Sequence, residues 1–146
     1  MSDFRKLSDT VYASPQIVPA DIDEAAGLGV CLVINNRPEG EAADQTPGAI
    51  VEAAARAAGM EYVAIPVTMA SMSEADVEAM RASLDHAPGP VLAYCRSGTR
   101  STLLWALARA NAGESPDDIA RAAAAAGYDI SPVRAAMEAY TAGRAR

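Results

Sequence analysis

Pro90-Val91-Leu92-Ala93-Tyr94-Cys95-Arg96-Ser97-Gly98-Thr99-Arg100-Ser101 is the stretch that decides how the rest of the chain is read. It opens with an unbroken apolar run of strand length. Small, hydroxyl-bearing and charged residues follow, and Thr102-Leu103-Leu104-Trp105-Ala106-Leu107-Ala108 continues with helical composition. The order is a buried strand, a six-residue turn and a helix, which puts the Cys95 thiol at a helix N-terminus. Backbone N–H groups from Ser97 to Ser101 can converge on one point as an anion nest, with Gly98 supplying a positive φ where the turn requires it. A helix N-terminus and adjacent arginines both favour a thiolate, so Cys95 is expected to be exposed and largely thiolate at neutral pH. Arg100 offers a planar fork that can close over an oxyanion or a sulfur species.

Two further runs have the composition of strands buried on both faces of a parallel sheet: Val30-Cys31-Leu32-Val33-Ile34 and Tyr62-Val63-Ala64-Ile65. Cys31 is read as core. It begins its strand whereas Cys95 ends one, so the two thiols are expected at opposite edges of the sheet, too far apart for a disulfide. Asn35-Asn36-Arg37-Pro38 leaves the carboxyl end of its strand, the edge where open α/β sheets bind ligands. Asn35 and Arg37 are therefore candidate anion-site residues, with a solvated loop arginine as the alternative for Arg37. Pro66-Val67-Thr68-Met69-Ala70 leaves the same edge and can pass over Cys95, and Pro66 to Met72 contain no carboxylate.

Connecting segments fit this frame. Phe4–Leu7 and Val11–Ala13 suit a hairpin that extends the sheet, and Pro19 with the acidic residues after it starts a helix closed by Gly27 and Gly29. Glu39 to Gln45 is a polar loop, after which Thr46-Pro47 is expected to cap a helix that stops at Gly59. Ser73 and Asp76 have capping-box spacing for a helix to about His86, so Glu74 and Asp76 are read as cap residues and His86 as a surface residue at the helix C-terminus. Trp105 is read as core. Ser115-Pro116 and Ser131-Pro132 start two more helices. Alternating strand and helix, with no repeat and no linker, indicates one α/β domain over 1–146: a central, mostly parallel sheet flanked by helices.

A net charge of −7 argues against nucleic acid or an anionic membrane as the main partner, because both select a basic face. Two cysteines and one histidine are too few for a closed structural zinc site, and no metal or cofactor is expected. The chain has neither the apolar core of a signal peptide near Met1 nor a run of membrane-spanning length, and a cytoplasmic, reducing setting is expected.

Cys95-Arg96-Ser97-Gly98-Thr99-Arg100 resembles the six-residue active loop of single-domain rhodaneses, a cysteine, four residues and an arginine. From Phe4-Arg5-Lys6-Leu7 through Val33-Ile34-Asn35-Asn36-Arg37-Pro38 and Ile65-Pro66-Val67 to Ala93-Tyr94-Cys95-Arg96, roughly residues 1 to 110, the chain is similar to the bacterial phosphatase-like domain of beta-lactamase-hydrolase-like proteins. That resemblance implies a cysteine-phosphatase-like fold of the dual-specificity type. It also implies Cys95 as nucleophile with Arg100, and sulfurtransferase activity in some members. Protein-tyrosine phosphatases space cysteine and arginine by five residues; one residue fewer removes up to about 3.5 Å of chain and one cradle N–H, favouring a single sulfur over a tetrahedral phosphate.

The leading expectation from sequence is a rhodanese-like sulfurtransferase. Cys95 takes sulfane sulfur from a small anionic donor, and a thiol or other acceptor then removes it from the persulfide. Arg100 and Arg96 hold the donor, the turn's amides including that of Gly98 stabilise the charge, and the Ser97, Thr99 and Ser101 hydroxyls donate to it. Turn and cap chemistry alone is the other reading of those hydroxyls. The alternatives are a cysteine phosphatase acting on a phosphate ester through a Cys95 phosphoryl intermediate, with Glu74, Asp76 or the substrate as acid, and a non-catalytic anion- or persulfide-binding module that partners a separate thiol dioxygenase or beta-lactamase-fold hydrolase.

Overall fold

The computed structural model describes residues 2–144. Five short strands form one sheet in the order β1-β2-β5-β3-β4, with β1 Arg5–Ser8, β2 Val11–Ser14, β3 Leu32–Asn35, β4 Glu61–Ala64 and β5 Val91–Tyr94. Only the β1–β2 hairpin is antiparallel; β2–β5, β5–β3 and β3–β4 are parallel. The mostly parallel α/β architecture read from the sequence is therefore present. A β5 flanked by parallel strands on both sides is the reason Val91-Leu92-Ala93-Tyr94 is uniformly apolar and buried.

Alternation along the central strands sorts the core into two layers. Leu32, Ile34, Val91 and Ala93 face one side with α3 (Glu74–His86) and α4 (Thr99–Asn111), joined by residues of α5 (Pro116–Ala125) and α6 (Arg134–Arg144). Val33, Leu92 and Tyr94 face the other side with α1 (Pro19–Gly27) and α2 (Gly48–Ala57). α4 is buried nearly all round, every residue from Ser101 to Ala108 being covered, with Trp105 in the core. At about 1.5–3 kcal/mol per large apolar side chain, that burial anchors the helix whose first turn carries the active loop. No described helix is long and apolar enough to cross a membrane.

Four sequence expectations need correction. β4 is an edge strand, exposed at Glu61 and Ala64, because β3 covers only one of its sides. α2 receives no cap from Thr46; Glu39 reaches across the loop and accepts the Gly48 N–H at 2.9 Å. Cys31 lies just before β3 and is only partly buried. Its backbone N–H donates to Pro90 O at 2.9 Å, at the opposite end of β5 from Cys95, so both cysteines are free. The last helix is entered through a 3-10 turn, Ser131–Val133, rather than directly at Ser131.

Candidate active site

β5 ends at Tyr94, and the chain turns through Cys95, Arg96, Ser97 and Gly98 before α4 starts at Thr99. The loop is thus four residues, and Arg100 belongs to the first helical turn. Gly98 is the N-cap with φ 91°, a left-handed conformation that favours glycine. With that geometry the Gly98 N–H donates to Cys95 Sγ at 3.1 Å. Helix dipole and amide converge on one sulfur, as a nucleophile at a helix N-terminus requires. The sequence predicted an exposed thiol, but Cys95 is 0% exposed.

Arg100 reaches into the same space along a fixed path. Its Nη1 donates to Glu41 Oε2 at 2.7 Å and to the Val67 carbonyl at 3.0 Å, and its Nη2 donates to Glu41 Oε1 at 2.9 Å. Those bonds engage three of the five guanidinium N–H groups; Nε–H and the second Nη2 proton lie together on the remaining edge, a second fork suited to an oxyanion. Glu41 is itself braced by Arg37, whose Nε donates to Oε1 at 2.9 Å while its Nη1 donates to Gln16 Oε1 at 2.9 Å. The Arg100 hydrogen bond, with Arg37 adding to it, holds the Glu41 carboxyl down to about 2 despite partial desolvation. Glu41 is an anion at any ordinary pH and orients Arg100.

The other expected site residues divide. Arg37 is neither a solvated loop residue nor a direct lining of the cradle: it is 5% exposed and acts through Glu41. Asn35 is the last residue of β3, and its amide is spent on Tyr62 Oη and the Arg37 N–H. It projects toward α2, where its Nδ2 lies beside Gly48. Arg96 is exposed and makes no ion pair among the described residues, while its carbonyl accepts the Gln16 N–H. The Ser97 hydroxyl donates to Thr99 Oγ1 at 3.1 Å and accepts from the Thr99 N–H, so this pair spends its polarity within the turn. Ser101 Oγ is fully buried with no hydrogen-bond partner among the described residues.

Pro66 to Met72 passes over the site as expected, delivering the Val67 carbonyl rather than a carboxylate. Sequence reasoning missed Glu41, Gln16 and Val67. Glu41 sits in a loop leaving the same sheet edge as Cys95, but Glu39, Glu41 and Asp44 look alike there, and only the folded path selects one. Among the described residues no three metal-ligating side chains gather at a site.

Comparison with known proteins places this geometry. Residues 3–112 match the family described as beta-lactamase hydrolase-like protein, phosphatase-like domain. The chain is 39% identical over 101 residues to the beta-lactamase hydrolase-like protein of Agrobacterium fabrum strain C58, covering 69% of this chain and 23% of that one. The match thus spans about a quarter of the relative's length. A crystal structure of a phosphatase candidate from Neisseria meningitidis Z2491 superposes with a TM-score of 0.84 at 37% identity, covering 96% of this chain and 99% of that one. PTPMT1 in complex with PI(5)P superposes with a TM-score of 0.74 at 16% identity, covering 98% of this chain and 99% of that one, a likeness of fold.

Proposed function

Because the chain belongs to the family of the phosphatase-like domain of beta-lactamase hydrolase-like proteins, we propose that it is a cysteine-dependent phosphatase in which Cys95 is the nucleophile and Arg100 holds the phosphoryl oxygens. The comparisons favour this reading over the sulfurtransferase expected first from the sequence. The observation that carries it is the convergence on one point of the Gly98 N–H, at 3.1 Å from Cys95 Sγ, and the free edge of an Arg100 already fixed by Glu41 and Val67. Cys95 Sγ attacks phosphorus, the P–O bond to the leaving group breaks, and water then cleaves the S–P bond to release phosphate and restore the thiolate. The N-terminal amides of α4 and the Arg100 fork stabilise the equatorial oxygens as charge builds on them.

The leaving group sets the substrate class. Glu41 is ionised and committed to two arginines, Asp76 accepts the Ser73 N–H in the cap of α3, and the Pro66–Met72 loop carries no carboxylate, so that loop offers no group to protonate an alkoxide. Substrates whose leaving group departs as a stable anion, aryl phosphates above alkyl phosphates, are therefore preferred. The same feature supports a second reading, sulfur transfer, because sulfite or a thiolate also leaves without an acid and the Cys95–Arg100 spacing is four residues. One assay series separates the two: an aryl phosphate, an alkyl phosphate, and thiosulfate with cyanide, each with native protein and Cys95→Ser. Aryl phosphate turnover dependent on Cys95 is expected; thiosulfate turnover with inert phosphates would replace the first reading by the second.

A further inference from the structure

We propose that Tyr128 is a positioning residue for the catalytic loop, acting by clamping the Ser97–Gly98 peptide so that its N–H faces Cys95. The inference rests on Cys95 being the reacting sulfur. Tyr128 lies beyond the residues matched by the family, 3–112, in the segment between α5 and α6. Its hydroxyl donates to the Ser97 carbonyl at 3.3 Å. The N–H of that same peptide unit is the one that donates to Cys95 Sγ at 3.1 Å.

A trans peptide holds its C=O and N–H on opposite sides of one rigid plane, and the described residues contain no cis peptide. Fixing the carbonyl outward therefore fixes the N–H inward. Flipping that plane would turn a carbonyl toward the sulfur and remove a donor from the anion cradle. Gly98 at φ 91° has the freedom to let the plane rotate, so the restraint has to come from outside the loop. Tyr128 supplies it at contact distance: a Cβ added to Gly98 would collide with the Tyr128 hydroxyl and sit 3.3 Å from the Ser14 backbone carbon.

Tyr128 is held in turn. The Arg5 guanidinium of β1 lies over its ring, 5.4 Å from the centroid, and Arg5 Nη1 donates to the Ala126 carbonyl at 3.2 Å. Burial pushes the phenol above its ordinary value, so the hydroxyl keeps its proton to donate at neutral pH. An N-terminal strand and a C-terminal turn thus meet behind the loop and set the direction of one amide.

The test is Tyr128→Phe, which removes the hydroxyl and keeps the ring under Arg5. Amide hydrogen exchange at Gly98 is expected to speed up by about tenfold with Val91–Tyr94 unchanged. Turnover should fall by about tenfold, less than loss of a direct donor, mainly in kcat, with KM within about twofold. Arg5→Ala, which leaves the hydroxyl in place, should move Gly98 exchange in the same direction by a smaller factor. Unchanged Gly98 exchange and unchanged kcat in Tyr128→Phe would overturn the clamp; so would loss of protection throughout β5, which would make Tyr128 a packing residue. Turnover surviving in Cys95→Ser would instead sink the nucleophile assignment, and leaves the exchange result standing as a fact about the loop.

Discussion

The two cysteines sit at opposite ends of one pair of parallel strands, and their sulfurs meet opposite partners. Cys95 Sγ, past the end of β5, receives an N–H from Gly98 at 3.1 Å; Cys31 Sγ, before the start of β3, donates to the Pro90 carbonyl at 3.4 Å. The sulfur at one end thus meets a backbone donor and the sulfur at the other a backbone acceptor. Burial runs the other way, since Cys95 is 0% exposed and Cys31 lines a cavity of about 260 Å³ with Tyr62, His86 and Pro88. On the proposed function, what separates the nucleophilic thiol from the other is the direction of the backbone around it. Parallel strands offer that direction only at their carboxyl ends, where helix N-termini face back over the sheet.

The sharpest way to break the contrast is to exchange sulfur for oxygen at each end. Cys95→Ser should lower turnover by at least about 1000-fold while the protein stays folded. Cys31→Ser should leave turnover within about twofold, because its site carries no donor. Loss of activity in the Cys31 variant with retention in the Cys95 variant would reverse the assignment, read by steady-state kinetics on an aryl phosphate.

Next in size is Arg100→Lys. An ammonium keeps the charge but cannot engage Glu41, the Val67 carbonyl and an oxyanion along separate edges, so kcat/KM should drop by about 10- to 100-fold. A loss under threefold would mean that charge alone suffices. Glu41→Gln should cost about tenfold in kcat/KM, since an amide offers one acceptor oxygen where the carboxylate offers two to Arg100 and one of them to Arg37 as well.

Glu41 also predicts a stability signature. Its carboxyl is depressed from an ordinary 4.5 to about 2, so its contribution is fully present above 4.5 and is lost as pH falls toward 2. Thermal unfolding between those pH values should therefore decline less steeply in Glu41→Gln than in the native protein, and parallel curves would contradict the pairing. The smallest effect sharpens the comparison from the side of access: phosphate should slow iodoacetamide alkylation of Cys95 by about three- to tenfold and leave Cys31 unchanged, as followed by peptide mapping. Equal protection of both thiols would mean that phosphate acts on the whole fold.

Much of this was legible in the sequence because it rests on local patterns. The apolar run of Val91–Tyr94, the small residues after Cys95 and the helical composition from Thr102 define strand, turn and helix without reference to the rest of the chain. The Ser73–Asp76 capping box is equally local, and both of its hydrogen bonds are present. What was not legible depends on long-range choices. Nothing local tells that Glu41 rather than Asp44 meets Arg100, 59 residues away in sequence, or that Glu39 caps α2 from across a loop. β4 looked doubly buried because Tyr62-Val63-Ala64-Ile65 is as apolar as a central strand; only the sheet order leaves it at an edge. The exposure of Cys95 was misjudged for a related reason. A loop of small polar residues reads as open, but the Arg100 side chain and the Val67 turn close over it.

The central claim is that Cys95 forms the covalent intermediate, and rapid acid quenching during turnover tests it most directly. Native protein mixed with an aryl phosphate, quenched within the first turnovers and mapped by mass spectrometry should carry one phosphoryl group on the Cys95 peptide and none on the Cys31 peptide, with no adduct in Cys95→Ser. A phosphoryl group on any other residue, or brisk turnover by Cys95→Ser, would contradict the account.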